Sequence, residues 1–493
     1  MEWKQYLDER IVGGVELATK ATQDSPIERP LLLRLASFVK TFQEGTGDTR
    51  LVIMFGLRGI GKSTILFQLY KRLLEGRLFS EPVASKRVKK ENILYVTIEQ
   101  TLLQSQYEES KSPILEVAKN FVEKIHGKTF ETLDKKLYLL IDEAQFDSRW
   151  ALAVKSIFDS TKNIFIVVTG SSAMALNLNT DTARRAIKEP LFPLSFMEYE
   201  IIKNRVFPIK GTSNNLKELI LRNNVSAIPE LNTSITAIKK NMVSKRLDLN
   251  SEINDYLALG GFPYGMISTK EITYRRLVDM MNRIVSQDIP LITNYETDTI
   301  PHIIRLIGAL ALKPSGEITQ GKLSQTLSIP VAKVNSILDA LEKAHLIFVV
   351  KPYPKAPKDS GLNRGFKYFF MSPTLLSAIQ YINGKINLTG LERSLLWETA
   401  VGSSLFRLCF TSGGTEYKIF YDPRKETNVD FILQNPLSGE IIPFEVGLNK
   451  DNSQIQSAID DYETTHGIVI TDVDDISTNG KIIKMPFWMF INI

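Results

Sequence analysis

Four apolar runs punctuate the N-terminal part of the chain, at 51–55, 93–98, 137–141 and 164–168. Runs this short, with no polar alternation, fit strands of a parallel sheet covered on both faces. The segments between them are long enough for crossovers, which predicts an α/β fold, a three-layer sandwich, over residues 1–194. After the first run, Leu66, Leu69, Tyr70, Leu73 and Leu74 recur at helical spacing and define one buried face. From 195 to 298 the pattern is that of amphipathic helices with charged outer faces, the composition of a helical lid. Residues 299–385 read as helix, helix, turn, helix and hairpin. Val334, Ile337, Leu338 and Leu341 share one face of the last helix, after a turn at Ser328, Ile329 and Pro330. The hairpin arms fall at 347–350 and 366–370. Over residues 386–493 a helix carrying Trp397, Glu398 and Thr399 precedes strands at 417–421, 429–433 and 441–446, a second α/β pattern.

At 493 residues the chain exceeds what one core serves, while 43% hydrophobic and 23% charged residues are ordinary globular values. No apolar run reaches the roughly 18 residues that cross a bilayer. The start, Met1-Glu2-Trp3-Lys4, lacks the layout of a secretory signal. The expectation is a soluble, cytoplasmic protein with no membrane partner. The one cysteine, Cys409, excludes an intramolecular disulfide and a cysteine-rich zinc site. A net charge of +5 permits contact with nucleic acid without requiring it. Basic clusters at 86–90 and along 351–367 read equally well as solvated loops.

Chemistry enters at the end of the first apolar run. Gly56, Leu57, Arg58, Gly59, Ile60, Gly61, Lys62 and Ser63 spell GxxxxGK[ST], with Thr64 next. Glycines there let backbone amides surround a polyphosphate, and the following helix N-terminus adds partial positive charge. Lys62 is placed for the outer phosphates of ATP and Ser63 for Mg²⁺. The third run ends at Asp142-Glu143, where an acidic residue can hold the Mg²⁺ water shell and the next can polarise the attacking water. The fourth runs into Thr169-Gly170-Ser171, so either Thr169 or Ser171 is available to sense the γ-phosphate.

The sequences GLRGIGKST, LYLLIDEAQ and VVTGSSAMAL, then Arg184-Arg185 ahead of PLFPLSF, and later Gly260-Gly261-Phe262-Pro263, resemble those of prokaryotic AAA-type ATPases related to the STAND class. Such proteins carry a winged helix and a C-terminal nuclease-like domain. The resemblance runs from about residue 30 onward. It implies that Arg185 lies near the nucleotide, from its own or a neighbouring subunit, the latter requiring a homo-oligomer. A surface ion pair is the other reading of Arg185. For GGFP the resemblance implies a cap on the adenine side, and a tight turn ending a helix is the other reading.

The helix-and-hairpin segment resembles a winged helix, a frequent DNA-binding unit. Its third helix exposes Lys333, Asn335, Ser336, Asp339, Glu342 and Lys343, a mixed surface in which the acids repel phosphate. Lys351, Lys355, Lys358, Arg364 and Lys367 of the wing are the better candidates for backbone contact. The C-terminal segment resembles a PD-(D/E)xK, restriction-endonuclease-like domain. The resemblance implies metal ligation by Asp430 and Glu445, with Glu398 as the acidic residue of the first helix. Its usual lysine, two residues after the glutamate, is Gly447 here, and Lys450 follows three residues on. That speaks against cleavage and for docking or DNA binding. The expected function is ATP hydrolysis coupled to conformational change, acting on DNA. A nucleotide-controlled scaffold with a protein client and an ATP-gated nuclease are the alternatives.

Overall fold

A computed structural model describes residues 3–78, 83, 86–104, 112–172, 180–292, 299–312, 318–354, 365–385, 390–411, 417–424, 428–448 and 450–493. The chain forms two compact units, Met1–Leu191 and Phe192–Ile493. In the first, strands β1 (Leu51–Phe55), β2 (Ile93–Thr97), β3 (Leu137–Asp142), β4 (Ile164–Gly170) and β5 (Ile187–Pro190) form one sheet. Its order is β2-β3-β4-β1-β5, and every pairing is parallel.

Alternate residues of these strands meet different helices, as a twofold side-chain period requires. Leu51, Ile53 and Phe55 join a core with Tyr6, Leu7 and Ile11 of the helix Trp3–Asp24, and with Val154 and Ile157 of Trp150–Ser160. On the other face Tyr138 and Phe165 lie 5.7 and 5.5 Å, centroid to centroid, from Phe42 of the helix Pro30–Glu44. Helices thus cover both faces, as the apolar runs imply. Strand β5 is invisible in the pattern because Lys188 and Glu189 interrupt it. β2 ends at Thr97, one residue early, since Ile98 already opens the helix Ile98–Gln104.

The second unit begins with helices. Ser195 and Glu198 form a reciprocal cap on Phe196–Asn204, satisfying two amides that a bare helix start leaves open. The glycines of GGFP have a packing reason. The Gly261 amide donates to Thr374 Oγ1 at 2.9 Å, and a Cβ at 261 would lie 2.3 Å from Ser372 Oγ. This turn therefore docks on the start of the helix Pro373–Ile382.

Helices Thr299–Leu312, Gln320–Leu327 and Val331–Lys343 precede an antiparallel hairpin of β6 (Ile347–Pro352) and β7 (Lys367–Phe370). This hairpin does not stand alone. Strands β8 (Lys418–Tyr421), β9 (Phe431–Gln434), β10 (Ile441–Val446), β11 (Gly467–Thr471), β12 (Ser477–Asn479) and β13 (Ile482–Pro486) continue its sheet. The order across the eight strands is β12-β13-β11-β10-β9-β8-β6-β7. The junction is short, with Lys351 opposite Phe420 and Pro352 opposite Tyr421. The helix Gly390–Thr411 crosses this sheet at Gly402, where a Cβ would stand 3.1 Å from the Phe431 ring and 3.2 Å from that of Phe348. That close crossing sets Glu398, one helical turn earlier, against the sheet.

Among the described residues no helix is long and apolar enough to cross a membrane.

Candidate functional site

The phosphate-loop sequence lies between β1 and the helix Lys62–Glu75. Gly59 and Gly61 have φ of 76° and 98°, conformations that side chains resist. Gly56 has no room for a side chain, because a Cβ would lie 2.2 Å from the Leu191 carbonyl oxygen. The loop closes on itself through Lys62, whose Nζ donates to the Gly56 and Leu57 carbonyls at 2.9 Å each. Arg29, buried just ahead of the helix Pro30–Glu44, donates to the Ile60 carbonyl at 2.9 Å. Gln68 donates to the Ser25 and Ile27 carbonyls, so the segment before Pro30 is tied to the loop and its helix. Neither Arg29 nor Gln68 carries a motif, and nothing in the sequence distinguishes them from ordinary polar residues.

Asp142 is the last residue of β3, and the parallel register that sets Ile141 beside Val168 puts it next to Thr169 of β4. The Thr169 hydroxyl donates to Asp142 Oδ1, and Tyr95 of β2 donates to Oδ2 at 3.0 Å. Burial first, and then the Asp142 charge, push the Tyr95 phenol well above its ordinary range, so it remains a donor. Glu143 follows in a left-handed conformation, φ 55°, of the kind that costs about 1–3 kcal/mol and collects at functional positions. Its carboxylate accepts from Gln145, and the Gln145 oxygen takes the Ser171 amide at 3.3 Å. Gln145 thus ties the end of β3 to the end of β4. The Thr169 hydroxyl is engaged with Asp142, while the Ser171 hydroxyl is buried with no hydrogen-bond partner. The residues fit a magnesium-bound triphosphate: an amide-lined loop with a lysine, Ser63 at the helix start, and a carboxylate held by the neutral hydroxyls of Tyr95 and Thr169.

Arg185 is placed by an ion pair. Its Nε meets Asp159 Oδ1 at 2.7 Å and its Nη1 donates to the Asp181 carbonyl at 2.8 Å.

In the second unit the hairpin lysines do not share one role. Lys355, Lys358 and Arg364 lie outside the described residues, and Lys351 is exposed. Lys367 is not a wing contact for DNA. It is 8% exposed, with Nζ 3.2 Å from Glu398 Oε1. The run of neighbouring cations conceals this, since its burial depends on the sheet joining β6 to β8. On the third helix Asp339 pairs with Lys343 at 2.8 Å, and burial raises the Glu342 carboxyl.

Asp430 and Glu445 come together where β9 meets β10, within electrostatic reach of Glu398 and Lys367. Asp430 Oδ2 takes the Val446 amide at 2.8 Å. Glu445 is 2% exposed, and its Oε1 accepts from Lys450. Its Oε2 is buried with no partner. Burial first, then the Glu398 charge on Asp430 and the Asp430 charge on Glu445, raise the two carboxyls. A Cβ on Gly447 would lie 2.6 Å from Lys450 Cε, so the Lys450 side chain occupies the room that Gly447 leaves. Among the described residues, no three His, Cys, Asp or Glu side chains converge as a metal site.

Residues 48–200 match a family model described as an AAA domain, and residues 250–386 one described as a domain of unknown function (DUF8612). An uncharacterized protein of Methanocaldococcus jannaschii, MJ1637, is 28% identical over 90% of this chain and 84% of its own length. A second from that organism, MJ1544, is 21% identical over 97% of this chain and 89% of its own. An uncharacterized Haemophilus influenzae protein is 28% identical over 65% of this chain and 66% of its own. Among solved structures, the Aeropyrum pernix ORC1 protein in complex with DNA is 13% identical, covering 71% of this chain and 91% of that one, with a TM-score of 0.29. AMPPCP-bound DnaA from Aquifex aeolicus is 13% identical, covering 64% and 89%, with a TM-score of 0.26. Both scores are too low for a shared fold to be drawn from them. The family match and the loop itself carry the conclusion: residues 48–200 are similar to an AAA domain and include a phosphate-binding-loop sequence.

Proposed function

We propose that the chain hydrolyses ATP and uses turnover to reposition its second unit, with DNA as its client. The observation carrying this reading is the constellation at the ends of β1, β3 and β4. A glycine loop with Lys62 faces phosphate chemistry, and Asp142 is held by neutral hydroxyls so that its charge is left for a bound cation. Mg²⁺, held through Ser63 and Asp142, would neutralise charge on the β- and γ-phosphates. Lys62 leaves its two carbonyl partners for the outer phosphates. Glu143, aimed by Gln145, orients and deprotonates the attacking water, and the buried Ser171 hydroxyl is available to the γ-phosphate or that water. Arg185 would act on the nucleotide only after giving up Asp159, which makes it a residue for an assembled or closed state.

DNA as client is supported by the winged-helix reading of residues 299–385 and by the nuclease-like reading of 386–493. ATP turnover measured with and without duplex, single-stranded and branched DNA tests it. Stimulation by one of these is expected. Absence of both binding and stimulation at low salt removes DNA as the client and favours a protein-directed scaffold.

One observation favours a second reading, an ATP-gated nuclease. Lys450 fills the space over Gly447 and reaches Glu445, which supports its standing in for the lysine absent at 447. A divalent cation at Asp430 and Glu445 would supply an activated water for phosphodiester attack. Nicking of plasmid DNA that disappears in both Asp430→Asn and Lys450→Met would support it, and no nicking with Mg²⁺ or Mn²⁺ would end it.

A further inference from the structure

Lys367 occupies a setting foreign to a wing lysine. β7 carries it into the interior, beside Glu398 and 5.6 Å from the Tyr421 ring centroid. A buried ammonium is expensive to desolvate unless opposite charges face it. Burial acts to lower its pKa, and the charges of Glu398, Asp430 and Glu445 more than offset that. Lys450 answers the same carboxylates from the loop after β10. Three carboxyl groups therefore face two ammonium groups, and one of their oxygens, Glu445 Oε2, is buried with no partner. A buried carboxylate oxygen without a donor is a costly thing to leave in a fold, and it is a ligand that hard divalent cations accept.

We propose that Lys367 is the resident counter-cation of this cluster, and that a divalent cation taken up by Asp430 and Glu445 competes with its ammonium, so that the β6–β7 hairpin responds to the filling of the site. The inference rests on the metal-binding reading of Asp430 and Glu445 and is independent of any cleavage. The sheet makes the coupling mechanical. β7 lies at the end of the strand order with β6 as its neighbour, and the pairing of β6 with β8 is short, at Lys351 and Pro352. Lys367, the first residue of β7, adds a side-chain tie from that edge to the helix Gly390–Thr411. Weakening this tie loosens an edge strand that has a single neighbour.

The test is a calorimetric titration of the full chain, free of nucleotide, with Mn²⁺. The wild type should show a binding event that Asp430→Asn removes. Lys367→Met should tighten that event roughly ten-fold or more, because an opposing buried charge has gone, whereas Lys367→Arg should keep the wild-type value. Hydrogen exchange on the wild type gives an independent readout that does not depend on the variant folding. Amides of residues 367–370 should exchange faster at saturating Mn²⁺, and those of Asp430→Asn should not change. Equal Mn²⁺ affinity in wild type and Lys367→Met, or unchanged exchange in β7 on saturation, would overturn the competition while leaving metal binding intact. No Asp430-dependent Mn²⁺ binding in any variant would overturn the metal-binding reading itself, and the competition with it.

Discussion

Each unit of this protein sets a carboxylate pair at strand termini, Asp142 and Glu143 at the end of β3, Asp430 just before β9 and Glu445 near the end of β10, and the two pairs are stabilised by opposite means. Asp142 is held by the Tyr95 and Thr169 hydroxyls, and Glu143 by the Gln145 amide. Among the described residues no ion pair with a lysine or arginine is found on either. Asp430 and Glu445 are instead set against Lys450 and Lys367. Neutral donors fix a carboxylate in place and leave its charge for a ligand, whereas ammonium groups consume that charge within the protein. The difference teaches where each unit looks for its counter-charge. On the proposed reading, the N-terminal pair leaves its charge for a cation that arrives with a nucleotide. The C-terminal pair is compensated within the protein by ammonium groups, with which a metal ion would compete on the same reading.

That contrast can be broken by substitution, and the largest effect is expected at the loop. Lys62→Ala removes the one ammonium directed at phosphate, and ATP affinity measured by calorimetry should fall roughly 10- to 100-fold. Lys450→Met leaves Glu445 buried without its partner. Because the Lys450 side chain is 32% exposed, the cost in chemical denaturation should be near the low end of about 1–3 kcal/mol. Gln145→Ala frees the Glu143 carboxylate without changing its charge. It should lower kcat roughly ten-fold with KM for ATP nearly unchanged, the signature of a group that positions another. Tyr95→Phe deletes one of the neutral donors to Asp142, and a loss of a few-fold in kcat is expected, smaller than that of Gln145→Ala.

Glu200 supplies a third case to set beside the two pairs. It accepts from Asn204 at 3.1 Å, its other oxygen has no partner, and burial pushes its carboxyl up to about 7. The folded state therefore binds its proton more tightly than the unfolded chain, and stability is lost as pH rises from 4.5 through about 7. Glu200→Gln should flatten that part of the denaturation midpoint against pH, the smallest of these effects.

Much of the N-terminal site was legible because its signals are local. The glycine loop, Lys62, Ser63 and the Asp142-Glu143 pair each follow an apolar run that announces a buried strand. Tyr95 was hidden because an aromatic inside a buried strand looks like core. Its role depends on the register that sets Thr97 opposite Asp142. Gln145 was hidden in a short turn, where spacing carries no period. In the second unit Asp430, Glu445 and Lys450 were within reach of the sequence because they are near one another along it. Lys367 was not. It closes a stretch that also holds Lys351, Lys355, Lys358 and Arg364, and the strand and helix that bury it come from separate segments brought together by the eight-stranded sheet.

The central claim is that Glu143 activates water for ATP hydrolysis, and turnover by Glu143→Gln tests it most directly. The variant should bind ATP with magnesium as tightly as the wild type while phosphate release falls about 100-fold or more. Phosphate release at the wild-type rate from that variant would contradict the account.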